Sequence, residues 1–132
     1  MNENMAAEHD DIRAVAAELA AREPIFHRPE WGTTRSAFEG MMAAEFWEVG
    51  ASGREYRREF ILDTLEQRHR EQISEHVEVA DFRCAKIAPE HYLATYLLDQ
   101  AGRLSRRATL WRRTPEGWNI VYHQGTLVQS ID

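Results

Sequence analysis

The sequence predicts an α+β fold: about three helices packed on a strongly curved antiparallel sheet, forming a cone with one pocket. Three observations carry this. The last third holds three strand-like runs, residues 92–99, 104–113 and 118–126, separated by turn signals at Gln100-Ala101-Gly102 and Thr114-Pro115-Glu116-Gly117. The first two-thirds read mostly as helices, with one short hairpin over residues 46–56. The apolar alternation changes phase near Ala80-Asp81, which signals a bulge, and a bulge helps a sheet to curl.

Each element has its own justification. Asp10 and Asp11 can cap a first helix, where acidic groups favour the positive end. Ile12, Val15, Ala16 and Leu19 then recur at helical spacing on one apolar face. Pro24 stops this helix or starts the next short one, and Pro29-Glu30-Trp31-Gly32 is a break. Thr33 or Thr34 can cap a second helix running to about Glu45 and burying Phe38, Met41 and Met42. Residues 46–50 read as a short strand, Ala51-Ser52-Gly53 as a turn and residues 54–56 as a return strand. A third helix spans about residues 57–68, with Phe60, Ile61 and Leu65 as its stripe. Ile73, Val77 and Val79, then Phe82 and Cys84, mark the strand that carries the phase change.

The bulk properties suit one globular domain. The chain has 132 residues, 43% of them hydrophobic and 29% charged. Residues 1–9 read as a flexible tail and 10–128 as a single domain. The 22 acidic residues outnumber the 16 basic ones, giving a net charge of −6, which argues against nucleic acid as a partner. The one cysteine, Cys84, allows no disulfide within the chain and fits a reducing cytoplasm. The polar start Met1-Asn2-Glu3-Asn4-Met5 lacks the basic and apolar segments of a signal peptide, and no apolar run suits a bilayer span.

Several segments resemble one superfamily. They are Phe46-Trp47-Glu48-Val49-Gly50-Ala51-Ser52-Gly53-Arg54, Leu93-Ala94-Thr95-Tyr96, Arg106-Arg107-Ala108-Thr109-Leu110-Trp111-Arg112-Arg113, and Gly117-Trp118 through His123-Gln124-Gly125-Thr126. The chain resembles the nuclear-transport-factor-2-like superfamily from about Asp10 to Thr126, and more narrowly its bacterial branch of unknown function. The resemblance implies the cone-shaped fold of ketosteroid isomerases and SnoaL-like cyclases, and often a dimer. It implies no single chemistry, because the superfamily hosts enzymes, carriers and binding domains. The isomerases' aspartate, tyrosine and second acid have no matching positions here, so no catalytic residue is carried over.

The candidate site residues come from the strands. Glu48, among Phe46, Trp47 and Val49, is a general base or acid if it points into the cone, and otherwise a rim carboxylate or one paired with Arg54 or Arg107. His123 and Gln124 are adjacent, so at most one faces the pocket; the histidine can shuttle a proton there or be an imidazole satisfied by a neighbouring carbonyl, and the glutamine can only orient a ligand. Arg107, Thr109 and Trp111 share one strand face, with Tyr96 on a neighbouring strand. With Trp47 they can line a pocket for a small apolar or aromatic ligand, or one with an acidic part; equally, Trp111 can be core and Arg107 a half-exposed cover. The arginine pairs alternate between strand faces and form no single phosphate patch. The histidines lack metal-ligand spacing, and no GxSxG, Walker or GxGxxG loop occurs, so neither metal nor cofactor is expected.

Three functions are compatible with this pattern: a small-molecule-binding module, a cofactor-independent isomerase, cyclase or hydratase using Glu48 or His123, and a chiefly homodimeric interaction module. The strand of Tyr92, Leu93, Ala94, Tyr96, Leu97 and Leu98 is apolar on both faces, and helices can cover only one, so a homodimer is expected.

Overall fold

A computed structural model describes residues 2–71 and 76–129, with side chains from residue 11 onward. α1 spans Asn2–Arg22, and two 3-10 turns, Ile25–His27 and Pro29–Trp31, lead to α2 at Arg35–Met41. β1 (Met42–Val49) and β2 (Glu55–Arg57) form the hairpin, α3 covers Arg58–Arg70, and β3 (Val77–Ala88), β4 (His91–Gln100), β5 (Arg103–Thr114) and β6 (Gly117–Leu127) follow. The expected strand residue Ile73 lies outside the described residues.

The six strands lie in the order β2-β1-β6-β5-β4-β3. The sheet is mixed rather than wholly antiparallel, because β1 pairs with β6 in parallel. The reason is topological. β2 and β3 occupy opposite edges of the sheet and α3 links them, so the chain crosses over without reversing. Hairpins joining β3 to β4, β4 to β5 and β5 to β6 then bring β6 back along β1. Periodicity finds strands and not their partners.

The bulge near Ala80-Asp81 is present. Register between β3 and β4 shifts between Ala80 and Arg83, and Asp81 takes the left-handed conformation at φ 54°. Further shifts interrupt β1 against β6 and β5 against β6. Each inserted residue bends its strand and increases the local twist.

Two helix boundaries differ from expectation. α1 begins at Asn2, so Asp11 lies within it and not at its cap. Asp11 instead accepts hydrogen bonds from the Tyr92 hydroxyl at 3.0 Å and from Arg113, tying the helix to the sheet. α2 ends at Met41 because Met42 already pairs with Ile120 of β6; tertiary pairing overrides the helix preference of Ala43 and Ala44. Its cap is Thr34, whose Oγ1 accepts from the Ala37 N–H at 3.1 Å.

The core lies between the helices and the sheet. Val15 and Leu19 of α1 and Ile61, Leu62 and Leu65 of α3 pack with Tyr92, Ala94, Trp111, Trp118 and Ile120 of the sheet. Burying each large side chain contributes about 1.5–3 kcal/mol.

Candidate active site

A cavity of about 390 Å³ opens between the inner face of the sheet, the turn after α1, and α3. The turn contributes Glu23, Pro24, Ile25, Phe26 and His27; α3 contributes Phe60, Ile61, Thr64, Leu65 and Arg68. The sheet supplies Glu48, Tyr56, Tyr96, Leu98, Arg107 and His123. The turn and helix contribute mostly apolar side chains, with Thr64 and Arg68 among them, and the sheet wall contributes Glu48, Tyr96, Arg107 and His123.

Strand parity decides which residues reach it. On β6, Trp118 and Ile120 point inward, and simple alternation would send Tyr122 and Gln124 the same way. The register shift prevents this. Trp111 pairs with Ile120 and Leu110 with Tyr122, leaving Val121 as an extra residue. Parity flips after it, so His123 and Gly125 are buried and Gln124 is exposed. On β1, Phe46 and Glu48 face inward while Trp47 faces out, and Glu48 is the register partner of His123.

His123 is held in one tautomer. Its Nε2 lies 3.4 Å from Nη1 of Arg107, and a guanidinium can only donate, so Nε2 accepts. The proton is therefore on Nδ1, which donates to Thr109 Oγ1 at 2.8 Å. Burial, reinforced by the positive charge of Arg107 and by His27, pushes the His123 pKa down to about 3. His123 thus faces the cavity with a neutral ring whose Nε2 is an acceptor.

Glu23, the residue just past α1, has no counterpart among the sequence candidates. Its side chain is 1% exposed. Its carboxylate accepts from the Tyr96 hydroxyl at 3.0 Å and from the Trp111 indole N–H at 3.1 Å. Burial raises its pKa, and hydrogen bonds from Thr109, Trp111, Tyr96 and the Ile25 N–H oppose that rise. A signal for it was present: Val15, Leu19 and Glu23 recur every four residues, so Glu23 continues the buried stripe of α1.

Glu48 is half-buried. Burial raises its pKa, and Arg107 and Arg68 pull the other way. Tyr96 is also pushed well up by burial and by the adjacent Glu23.

Of the sequence candidates, Glu48, His123, Tyr96 and Arg107 converge on the cavity. The others do not line it. Thr109 is fully buried behind His123, and Trp111 is core, bound to Glu23. Trp47 is 41% exposed and packs against Tyr122 on the outer face, with ring centroids 4.6 Å apart. Gln124 lies outside because of the Val121 bulge, and accepts from Tyr122 there. The aromatic lining comes instead from Phe26, Tyr56, Phe60 and Tyr96, with Tyr56 stacked on Phe60 at 4.8 Å. Among the described residues no cluster of three His, Cys, Asp or Glu has metal-binding geometry.

No family model matches the chain, and no curated protein matches it. Solved structures do. A proposed dehydratase of the NTF2-like family from Streptomyces avermitilis superposes with a TM-score of 0.70 at 15% identity, covering 93% of this chain and 99% of that one. An NTF2-like protein of unknown function in nutrient uptake from Rhodospirillum rubrum gives 0.66 at 16% identity, covering 88% and 98%. A proposed calcium/calmodulin-dependent kinase II association domain from Exiguobacterium sibiricum gives 0.66 at 18% identity, covering 95% and 96%. At these identities the likeness speaks for the fold and leaves the narrower branch an expectation. The chain has the cone-shaped α+β fold of the nuclear-transport-factor-2-like proteins.

Proposed function

We propose that this protein binds a small molecule in the cone. The observation that carries this is the cavity itself, which is large enough for a small ligand and pairs apolar helix walls with Tyr96, Arg107, His123 and Glu48 on the sheet. The test is uptake of a neutral fluorescent probe such as Nile red. Thr64→Trp fills the cavity from an exposed helix position and should abolish uptake while the fold is kept. Equal uptake by wild type and variant would place binding elsewhere.

A second reading is favoured by Glu48. A half-buried carboxylate with a raised pKa, beside a neutral histidine acceptor, suits proton transfer at carbon in a cofactor-independent isomerase, cyclase or hydratase. The Streptomyces structure, a proposed dehydratase, supports that class by analogy of fold alone. Hydrogen–deuterium exchange of a panel of cyclic ketones, followed by NMR, tests it. Exchange should be faster with protein and fall to background in Glu48→Gln; an unchanged rate in the variant sinks the reading.

The assembly proposed is a homodimer through the outer sheet face, where Trp47 is 41% and Leu104 37% exposed. A stable interface there buries on the order of 1,200–2,000 Å². A monomer mass by light scattering at tens of micromolar would count against it. No helix among the described residues is long and apolar enough to cross a membrane. The single Cys84 supports a cytoplasmic setting.

A further inference from the structure

We infer that the cavity selects a ligand carrying a carboxylate beside an apolar or aromatic body, and that Arg107, laid against Gly125, receives the carboxylate. This rests on the small-molecule reading above and names the ligand class. Three observations carry it.

First, Arg107 is a half-buried cation on the cavity wall whose hydrogen-bond partners are all neutral. Its Nε donates to Ser105 Oγ at 2.9 Å, Nη2 to Gln100 Oε1 at 3.2 Å, and Nη1 faces His123 Nε2 at 3.4 Å. No ion pair to Arg107 occurs among the described residues. These contacts fix the plane of the fork and use one N–H on each nitrogen, leaving one on each terminal nitrogen for a bidentate acceptor.

Second, the chain makes room for this guanidinium. Gly125 is the register partner of Arg107 and lies on the same inward face. A Cβ at Gly125 would sit 3.0 Å from Arg107 Nε and 3.1 Å from its Cδ and Cζ. Gly125 does not have a positive φ, so the backbone does not demand glycine there; the space taken by Arg107 does.

Third, the nearby carboxylates leave the arginines without an ion partner. Glu23 is occupied by Tyr96 and Trp111. Glu48 acts on Arg107 and Arg68 through space, yet no ion pair joins it to either among the described residues. Arg68, on α3 across the cavity, is a second cation of the same lining. The lining thus sets Arg107 and Arg68 against Glu23 and Glu48, yet Glu23 is turned to Tyr96 and Trp111 and neither arginine is ion-paired among the described residues, so the free edge of Arg107 is open to an anionic ligand.

The experiment uses matched acid and amide probes: benzoate and benzamide, phenylacetate and phenylacetamide, 1-naphthoate and 1-naphthamide. Binding is read by calorimetry and ligand-observed NMR at pH 7.5. At least one acid should bind roughly tenfold or more tighter than its amide, the scale of a charge-assisted hydrogen bond. Arg107→Gln should erase that preference. Gly125→Ala, which keeps the charge but displaces it, should weaken acid binding while melting temperature and circular dichroism stay as in wild type. Amides that bind as well as the acids, or a preference that survives both substitutions, would overturn the inference and leave cavity binding standing. If none of the six compounds nor Nile red is taken up, both this inference and the small-molecule reading fall.

Discussion

The Tyr96 hydroxyl donates to the Glu23 carboxylate at 3.0 Å, joining the end of the first helix to the fourth strand across 73 residues of sequence. Both groups are buried, so each supplies what the other would lose with water. Tyr96→Phe should cost roughly 1–3 kcal/mol, because it removes a donor from a buried acceptor. Glu23→Ala strands the Tyr96 hydroxyl and the Trp111 indole N–H together, and should cost roughly 2–6 kcal/mol. Urea denaturation checks both, and the double variant should cost less than the sum.

His123 predicts an acid-sensitive step with a definite sign. Its folded pKa is about 3 against an ordinary 6.5. Between these values the unfolded chain takes up a proton that the folded one refuses, so its contribution is present above pH 6.5 and is lost as pH falls toward 3. His123→Gln keeps an acceptor for Arg107 and a donor for Thr109 but does not titrate. Relative to that variant, wild type should lose about 1.4 kcal/mol per pH unit below the ordinary histidine value. The raised carboxyls of Glu23 and Glu48 act in the opposite sense, favouring the fold at low pH, and cancel in this difference. A pH-independent difference would show that His123 is not held neutral.

The Val121 bulge predicts unequal effects at two neighbouring positions. Gln124→Ala, on the exposed face, should change stability by less than about 0.5 kcal/mol. His123→Ala removes the partner of buried Thr109 and should cost roughly 1–3 kcal/mol. Equal effects in thermal denaturation would contradict the parity flip.

The second helix offers a local test. Thr34→Ala removes the cap on the Ala37 N–H and should cost about 1 kcal/mol. Thr33→Ala, which touches no cap, should leave stability near wild type by the same melt.

The elements were legible because they are local. Turn residues and alternation place the last three strands within a residue or two of β4, β5 and β6, and Pro24 sits just past the end of α1. The phase slip near Asp81 was readable as a bulge because both flanking runs are apolar enough to show their parity. Tyr96, Arg107, Glu48 and His123 were legible as candidates because strand alternation assigns faces. What the sequence could not decide is whatever depends on pairing between distant segments. The parallel match of β1 to β6 sets Glu48 beside His123, and only the β5 to β6 register reveals that Val121 is extra and that His123 rather than Gln124 turns inward. Trp47 and Trp111 read alike in sequence as large aromatic strand residues, yet one packs outside against Tyr122 and the other lies in the core against Glu23. The burial of Glu23 needed the turn after α1 to meet Tyr96 and Trp111. The sequence by itself therefore determined the approximate elements and the alternation within uninterrupted strand runs, where each residue answers to near neighbours. Tertiary structure alone decided the mixed sheet, the flipped parity and the buried carboxylate, because these arise from register and contact between segments far apart in the chain.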